Sequence, residues 1–249
     1  MILAPAISPG DVASAGAAEP SHVELRNLCV RRDQRDLVRD LNLDVPRGSF
    51  VAVVGPSGVG KSSLLACLAG MLEPGAGTIT YRCAQRCDHS PNDFQKRLGL
   101  VFQHLRLTLN ASVLTNVCCG VLGQRGWWRT LLGFSRDERK QAKDLLERFG
   151  LKGYERLPVA KISGGERQRT AIARALMQSP ELILADEPVA SLDPALARNV
   201  LGYLRDETRK NQRTVFCVLH DPDLVAEFAD YTLTLSRVCP AAWKLRAAD

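Results

Sequence analysis

The run SFVAVV at 49–54, followed without a break by GPSGVGKS at 55–62, constrains this chain more than any other segment. The first part is apolar, rich in β-branched residues and bounded by Gly48 and Gly55, which predicts a short buried strand. After the glycines comes SLLACLA at 63–69, whose leucines recur at helical spacing. A strand that turns through glycines into a helix, with a lysine and a hydroxyl at the junction, is the local order of a phosphate-binding loop. Gly55, Gly58 and Gly60 permit backbone turns where a side chain would clash, so successive N–H groups point inward at anionic oxygens; Pro56, Ser57 and Val59 complete the loop. The helix behind it adds the positive end of its dipole. Lys61 supplies a mobile cation for the β- and γ-phosphates of a nucleotide, and Ser62, followed by Ser63, supplies a hydroxyl for Mg²⁺.

A second apolar run, ELILA at 181–185, delivers Asp186 and Glu187 at its C-terminal end. In an open α/β sheet ligands sit beyond the carboxyl ends of the strands, so these two acids are expected at the same nucleotide. Asp186 is the expected Mg²⁺ partner and Glu187 the expected group that polarises an attacking water. Phosphate loops of this kind serve kinases, GTPases, helicases and transport motors, so the two segments define a nucleotide site without naming its task.

Composition narrows the classes. With 249 residues, 45% hydrophobic and 24% charged, the chain suits one principal globular domain with an embedded subdomain. No apolar stretch approaches the roughly 18 to 20 residues that a spanning helix needs. The net charge of +6 comes from dispersed basic residues with no run of five or six like charges, which does not suggest a nucleic-acid surface. Residues 1–20 are rich in Ala, Pro, Gly and Ser and lack the basic start and apolar core of a signal peptide, so a floppy tail is expected there. Among eight cysteines the tightest metal-like cluster is Cys83, Cys87 and His89, whose spacing departs from paired zinc motifs. Cys29, Cys67, Cys118, Cys119 and Cys217 lie in apolar runs and are expected to pack as small hydrophobes.

Between the two acid-and-lysine segments lies ISGGERQ at 162–168, leading into a helical pattern at 169–177 with Ala171, Ile172, Ala175 and Leu176 on its inner side. This segment resembles the signature motif of the ABC ATPases, and it stands ahead of Asp186 as that family places it. The resemblance runs from about residue 23 to residue 236. It implies an α/β P-loop NTPase core of RecA-like type with a mixed sheet, occupying residues 21–249, and a helical subdomain inserted at about 103–161. An amphipathic helix at 136–149 is the clearest element of that subdomain.

The same resemblance assigns roles residue by residue. Ser163, Gly164, Gly165 and Glu166 form a second anion cradle, which in this family reaches the nucleotide of the other subunit, so ATP joins a homodimer head to tail. Gln103 matches the Q-loop glutamine near Mg²⁺ and the water, Asp193 in SLD matches the D-loop at the dimer interface, and His220 matches the switch histidine that contacts the γ-phosphate. Two departures stand out. Glu166 occupies a position usually held by glutamine, and no aromatic falls near residues 30–33, where the family stacks one on adenine; Arg32 is the best substitute.

Finer resemblance, in NVCCGVLGQRGWWRTLLGF at 116–134 and ADEPVASLDP at 185–194, is to importers of phosphonate or a related phosphorus oxyanion. It implies permease subunits in the membrane, a periplasmic binding protein and a place at the cytoplasmic face of the inner membrane, with Trp127, Trp128 and Arg129 facing the permease. SGGERQR and ADEP are shared with lipoprotein and macrolide exporters, which remain the alternative. Soluble ABC proteins that act on DNA or ribosomes usually carry paired ATPase domains, coiled-coil insertions or zinc modules, none of which is visible in this sequence.

Overall fold

The computed structural model describes residues 21–82, 97–102, 105–124 and 133–247. Along them, β1 (Ser21–Arg32) and β2 (Arg35–Pro46) form a hairpin, β3 (Phe50–Val54) runs into α1 (Lys61–Leu68), and β4 (Ala76–Tyr81) and β5 (Leu98–Val101) follow. A helical stretch comprises α2 (Val113–Cys118), 3₁₀ turns at Cys119–Gln124 and Val159–Lys161, α3 (Arg136–Arg148) and α4 (Gly164–Met177). Strands and helices then alternate through β6 (Leu182–Ala185), α5 (Pro194–Asn211), β7 (Thr214–Val218), α6 (Pro222–Phe228), β8 (Tyr231–Thr234) and β9 (Lys244–Ala247).

The apolar runs become strands covered on both faces. Strands β5, β6, β7, β3 and β8 pair in that order, all parallel, and β9 adds an antiparallel edge. Because side chains alternate along a strand, neighbouring residues enter two different cores. Phe50, Ala52, Ile183, Ala185, Val215 and Cys217 pack with the helical layer of α2 to α6. Val51, Val53, Leu182, Leu184, Phe216 and Val218 pack with α1 and the sheet β2-β1-β4. The mixed sheet expected from sequence is therefore present as one largely parallel sheet, joined through α1 to a separate antiparallel one.

The helices start where their caps place them. The helical pattern expected at 169–177 begins earlier, at Gly164, because Ser163 and Glu166 form a reciprocal capping box. The helix expected at 136–149 ends at Arg148 with Phe149 as its cap, and Ser135 and Glu138 form a second capping box. Ala171, Ile172, Ala175 and Leu176 are buried, and α4 packs on α2, α3 and β5. Cys29, Cys67, Cys118 and Cys217 are buried and Cys119 is half-buried, as their apolar surroundings suggested.

The two edges of the parallel sheet are treated differently. At the amino ends of β6 and β7, Glu181 takes a hydrogen bond from Arg47 at 2.8 Å and another from Arg97. Beside it His22 Nδ1 and Thr214 Oγ1 share a hydrogen bond of 2.6 Å, and burial pushes the His22 imidazole down to about 4. Ion pairing closes that edge. The opposite edge, at the carboxyl ends of β3, β6 and β7, carries the glycine loop, the acid pair and His220.

Candidate nucleotide-binding and hydrolysis site

The glycine loop departs from ordinary backbone at three points. Gly55, Gly58 and Gly60 have φ of 149°, 75° and 112°, in the left-handed half of the map that side chains avoid. A Cβ at Gly60 would also lie 2.8 Å from the Cβ of Leu37 on β2, and one at Gly55 would lie 2.8 Å from the Leu235 carbonyl oxygen. Val59 is buried in the core beneath the loop, which holds the turn down while Pro56, Ser57 and Gly58 stay exposed. Gly60 caps α1 with no side-chain hydrogen bond, leaving the first N–H groups of the helix to an external acceptor.

Lys61 is buried, and its ammonium donates to the carbonyls of Gly55 at 2.8 Å and Pro56 at 3.1 Å. Burial lowers its pKa, opposed by the charges of Glu187 and Asp186. Ser62 is exposed beside it and hydrogen-bonds Asp186. Asp186 is pushed up by burial and by the charge of Glu187, while Ser62, Lys61 and His220 pull it down. Its Oδ1 is buried without a hydrogen-bond partner, an arrangement that a buried carboxylate does not sustain without compensation.

Glu187 follows with φ of 51°, a left-handed conformation unusual for glutamate. Its Oε1 lies 2.7 Å from His220 Nε2, so the imidazole and the carboxylate face each other across the ends of β6 and β7. A cleft of about 310 Å³ opens at this pair and is walled by Leu192, Ala197 and Leu224 from the first turns of α5 and α6 and the loop before them. The loop, Asp186, Glu187 and His220 thus come together as expected.

The second glycine segment has another construction. Gly164 and Gly165 lie within the first turn of α4. The Ser163 N–H donates to Glu166 Oε2 at 2.7 Å, and Ser163 Oγ accepts from the Glu166 N–H at 3.3 Å. The Ser163 N–H, followed by Tyr154 and Ser163 Oγ, holds the Glu166 carboxyl below its usual range. Nothing lies within 4 Å of a Cβ at Gly164, so the bare backbone there is open to an incoming group. Asp193 is exposed and caps α5 by accepting from the Leu196 N–H at 3.0 Å.

Comparison with known proteins places this geometry. The ABC transporter family profile matches residues 38–190, which span the glycine loop, the signature segment and the acid pair. The phosphonates import ATP-binding protein PhnC of Hydrogenovibrio crunogenus is 38% identical over 205 residues, covering 82% of this chain and 75% of the relative. This chain belongs to the ABC transporter family. The hypophosphite import ATP-binding protein HtxD of Stutzerimonas stutzeri is 39% identical over 212 residues, covering 84% of this chain and 62% of the relative. Among solved structures, the ATP-binding cassette MJ0796, dimeric and bound to ADP and Pi in a post-hydrolysis state, matches with a TM-score of 0.78 and 26% identity, covering 91% of this chain and 99% of that one.

The chain is therefore an ATP-binding cassette, the subunit of an ABC transporter in which ATP hydrolysis is coupled to transport. No described helix is long and apolar enough to cross a membrane. Arg32 stands at the exposed end of β1, paired with Arg35 across a two-residue turn in which Asp33 and Gln34 have positive φ. Leu37, on the same hairpin, meets the glycine loop at Gly60. Gln103, Cys83, Cys87, His89, Trp127, Trp128 and Arg129 lie outside the described residues.

Sequence reasoning missed three residues of the site. Leu37 shapes the glycine loop from the hairpin, and Gln168 and Ser191 join the signature helix to Glu187. Gln168 closes the signature heptapeptide, and that was the only local signal for it. Leu37 looks like an ordinary strand residue, and Ser191 was marked only as the first position of the SLD segment, without a contact to Gln168.

Proposed function

We propose that this cassette energises import of a phosphonate or related phosphorus oxyanion through a separate permease, working as a homodimer with ATP held between the two chains. The relatives that match more than four-fifths of this chain, named for phosphonate and hypophosphite import, carry the substrate class. The pairing of Glu187 with His220 beside the Lys61 loop carries the chemistry.

In this reading the loop N–H groups, the start of α1 and Lys61 hold the triphosphate. Lys61 leaves the Gly55 and Pro56 carbonyls for the more strongly charged β- and γ-phosphate oxygens. Asp186 and Ser62, with Gln103, suit Mg²⁺: the unpartnered Oδ1 is a buried anionic oxygen beside a hydroxyl, the hard-oxygen donor set that ion favours. Bound there, Mg²⁺ neutralises charge on the phosphate oxygens. Glu187 accepts a hydrogen bond from the attacking water, and His220 orients the Glu187 carboxylate and reaches the γ-phosphate. Ser163, Gly164 and Gly165 present the start of α4 to the nucleotide of the partner chain, with Glu166 as their cap and Asp193 at the dimer interface. Arg32 lays its guanidinium plane on the base in place of an aromatic ring.

The helical subdomain, about residues 103–161, receives the permease. Two exposed leucines, Leu109 and Leu157, flank the bridge between Ser112 and Pro158 in that subdomain. Such a cassette sits at the cytoplasmic face of the membrane, with a periplasmic binding protein delivering the cargo. The test is reconstitution with the candidate permease and binding protein. ATPase activity stimulated by a phosphonate, phosphite or hypophosphite is expected. Stimulation by a lipoprotein or macrolide, with none from any phosphorus oxyanion, would reassign the chain to export.

A further inference from the structure

We infer that Gln168 is a positioning residue that locks the backbone of Glu187 to the signature helix and to the loop before α5 within one chain. The side chain is buried at 6% exposure, one turn into α4, and both ends of its amide are engaged. Nε2 donates to the Glu187 carbonyl at 3.1 Å, and Oε1 accepts from the Ser191 hydroxyl. The same two elements meet a second time, since a Cβ on Gly165 would lie 3.0 Å from Leu192 Cδ2.

The lock has something to hold. Glu187 sits at φ of 51°, a backbone state that persists in a non-glycine residue only where its surroundings over-determine it. Its carbonyl accepts from Gln168 and from the Ala190 N–H at 3.4 Å, while its carboxylate meets His220. Of these restraints, Gln168 alone comes from α4. The helix start that carries the Ser163 cap and the loop that carries Asp193 are thereby fastened to Glu187 of the same chain. Pressure on Ser163 or Asp193 from a second copy is felt at the carbonyl of the hydrolytic acid. Dimer closure at one nucleotide therefore aligns Glu187 at the other.

This inference rests on the assignment of Glu187 as the water-polarising group. The test compares the full-length protein with Gln168→Met, which keeps the volume and removes both hydrogen bonds, and with Gln168→Glu, which keeps the acceptor for Ser191 but sets an oxygen against the Glu187 carbonyl. The expected result is a kcat at least about tenfold lower for Met and lower still for Glu, with KM for ATP and the ATP-driven dimer within about twofold of wild type. Ser191→Ala, on an exposed loop, should lower kcat about threefold at unchanged KM, and it decides the matter if neither Gln168 variant folds. A role in packing alone would move the thermal midpoint and KM together with kcat. The inference is overturned if kcat stays within twofold in the folded Gln168 variants, if KM rises in step with the loss, or if Ser191→Ala is silent when it stands alone. Glu187→Gln, measured alongside, separates the two claims: normal turnover there removes the role of Glu187 itself, whereas stalled turnover beside an active Gln168→Met removes only the lock.

Discussion

At the start of α1 the cap is Gly60, with φ of 112° and no side-chain hydrogen bond; at the start of α4 it is Ser163, with extended backbone and a capping box closed by Glu166. Both starts present glycine-bare N–H groups, and they reach that condition by opposite routes. The first depends on strained backbone, a buried Val59 and the close approach of Leu37, and its Lys61 folds back onto the carbonyls of Gly55 and Pro56. The second is a self-capped helix whose glycines have ordinary helical backbone. The start of α1 is built against the core, whereas the start of α4 closes its own cap with Ser163 and Glu166.

Replacing the glycines separates the two constructions most sharply. Gly60→Ala forces a side chain into left-handed backbone and against Leu37, which should cost about 3 kcal/mol of stability from strain and overpacking together. Gly164→Ala meets nothing within 4 Å and exchanges glycine for a better helix former, so stability should hold or rise by up to about 1 kcal/mol while ATPase activity falls. Denaturant unfolding of both variants checks the contrast, and equal destabilisation would break it.

Lys61→Ala addresses the charge in the first cradle. It should lower ATP affinity at least about tenfold, roughly 1.4 kcal/mol, because it removes the mobile cation over the β- and γ-phosphates. Calorimetric titration of the monomer reads this directly. Unchanged affinity would mean that the loop N–H groups suffice without Lys61, as the start of α4 must do without a lysine of its own.

The smallest expected effect sharpens the base end of the first cradle. Arg32→Tyr should raise ATP affinity by about 1 kcal/mol if stacking is what the arginine supplies weakly, and should widen the preference for ATP over GTP. Equal affinities before and after would place the base away from the hairpin tip.

Much of the first cradle was legible in the sequence because its parts are consecutive. SFVAVV, GPSGVGKS and the leucines behind them encode strand, turn and helix through local propensity and period. The observed β3 and α1 follow at Phe50–Val54 and Lys61–Leu68. The acid pair was equally clear, since a strand of four buried residues must deliver whatever follows it to the sheet edge. The start of α4 was only half legible. ISGGERQ marked the segment, but the apolar pattern that betrays the helix begins past the glycines, so the sequence placed the helical stretch later than Gly164. Only the reciprocal bonds of Ser163 and Glu166 extend it back.

What the sequence determined by itself, then, is which short segments are strands, loops and helices, and which of them carry the glycine loop with Lys61, the acid pair and His220. The tertiary structure decided how those segments constrain one another. Leu37 reaches Gly60 from a separate sheet, Gln168 on α4 reaches Glu187 and Ser191 in the loop between β6 and α5, and His22 meets Thr214 across 192 positions of chain. None of these pairs leaves a periodic or compositional trace. Helix and strand periods record only which face of an element is apolar, whereas a single polar contact depends on where two elements come to rest after both cores have packed.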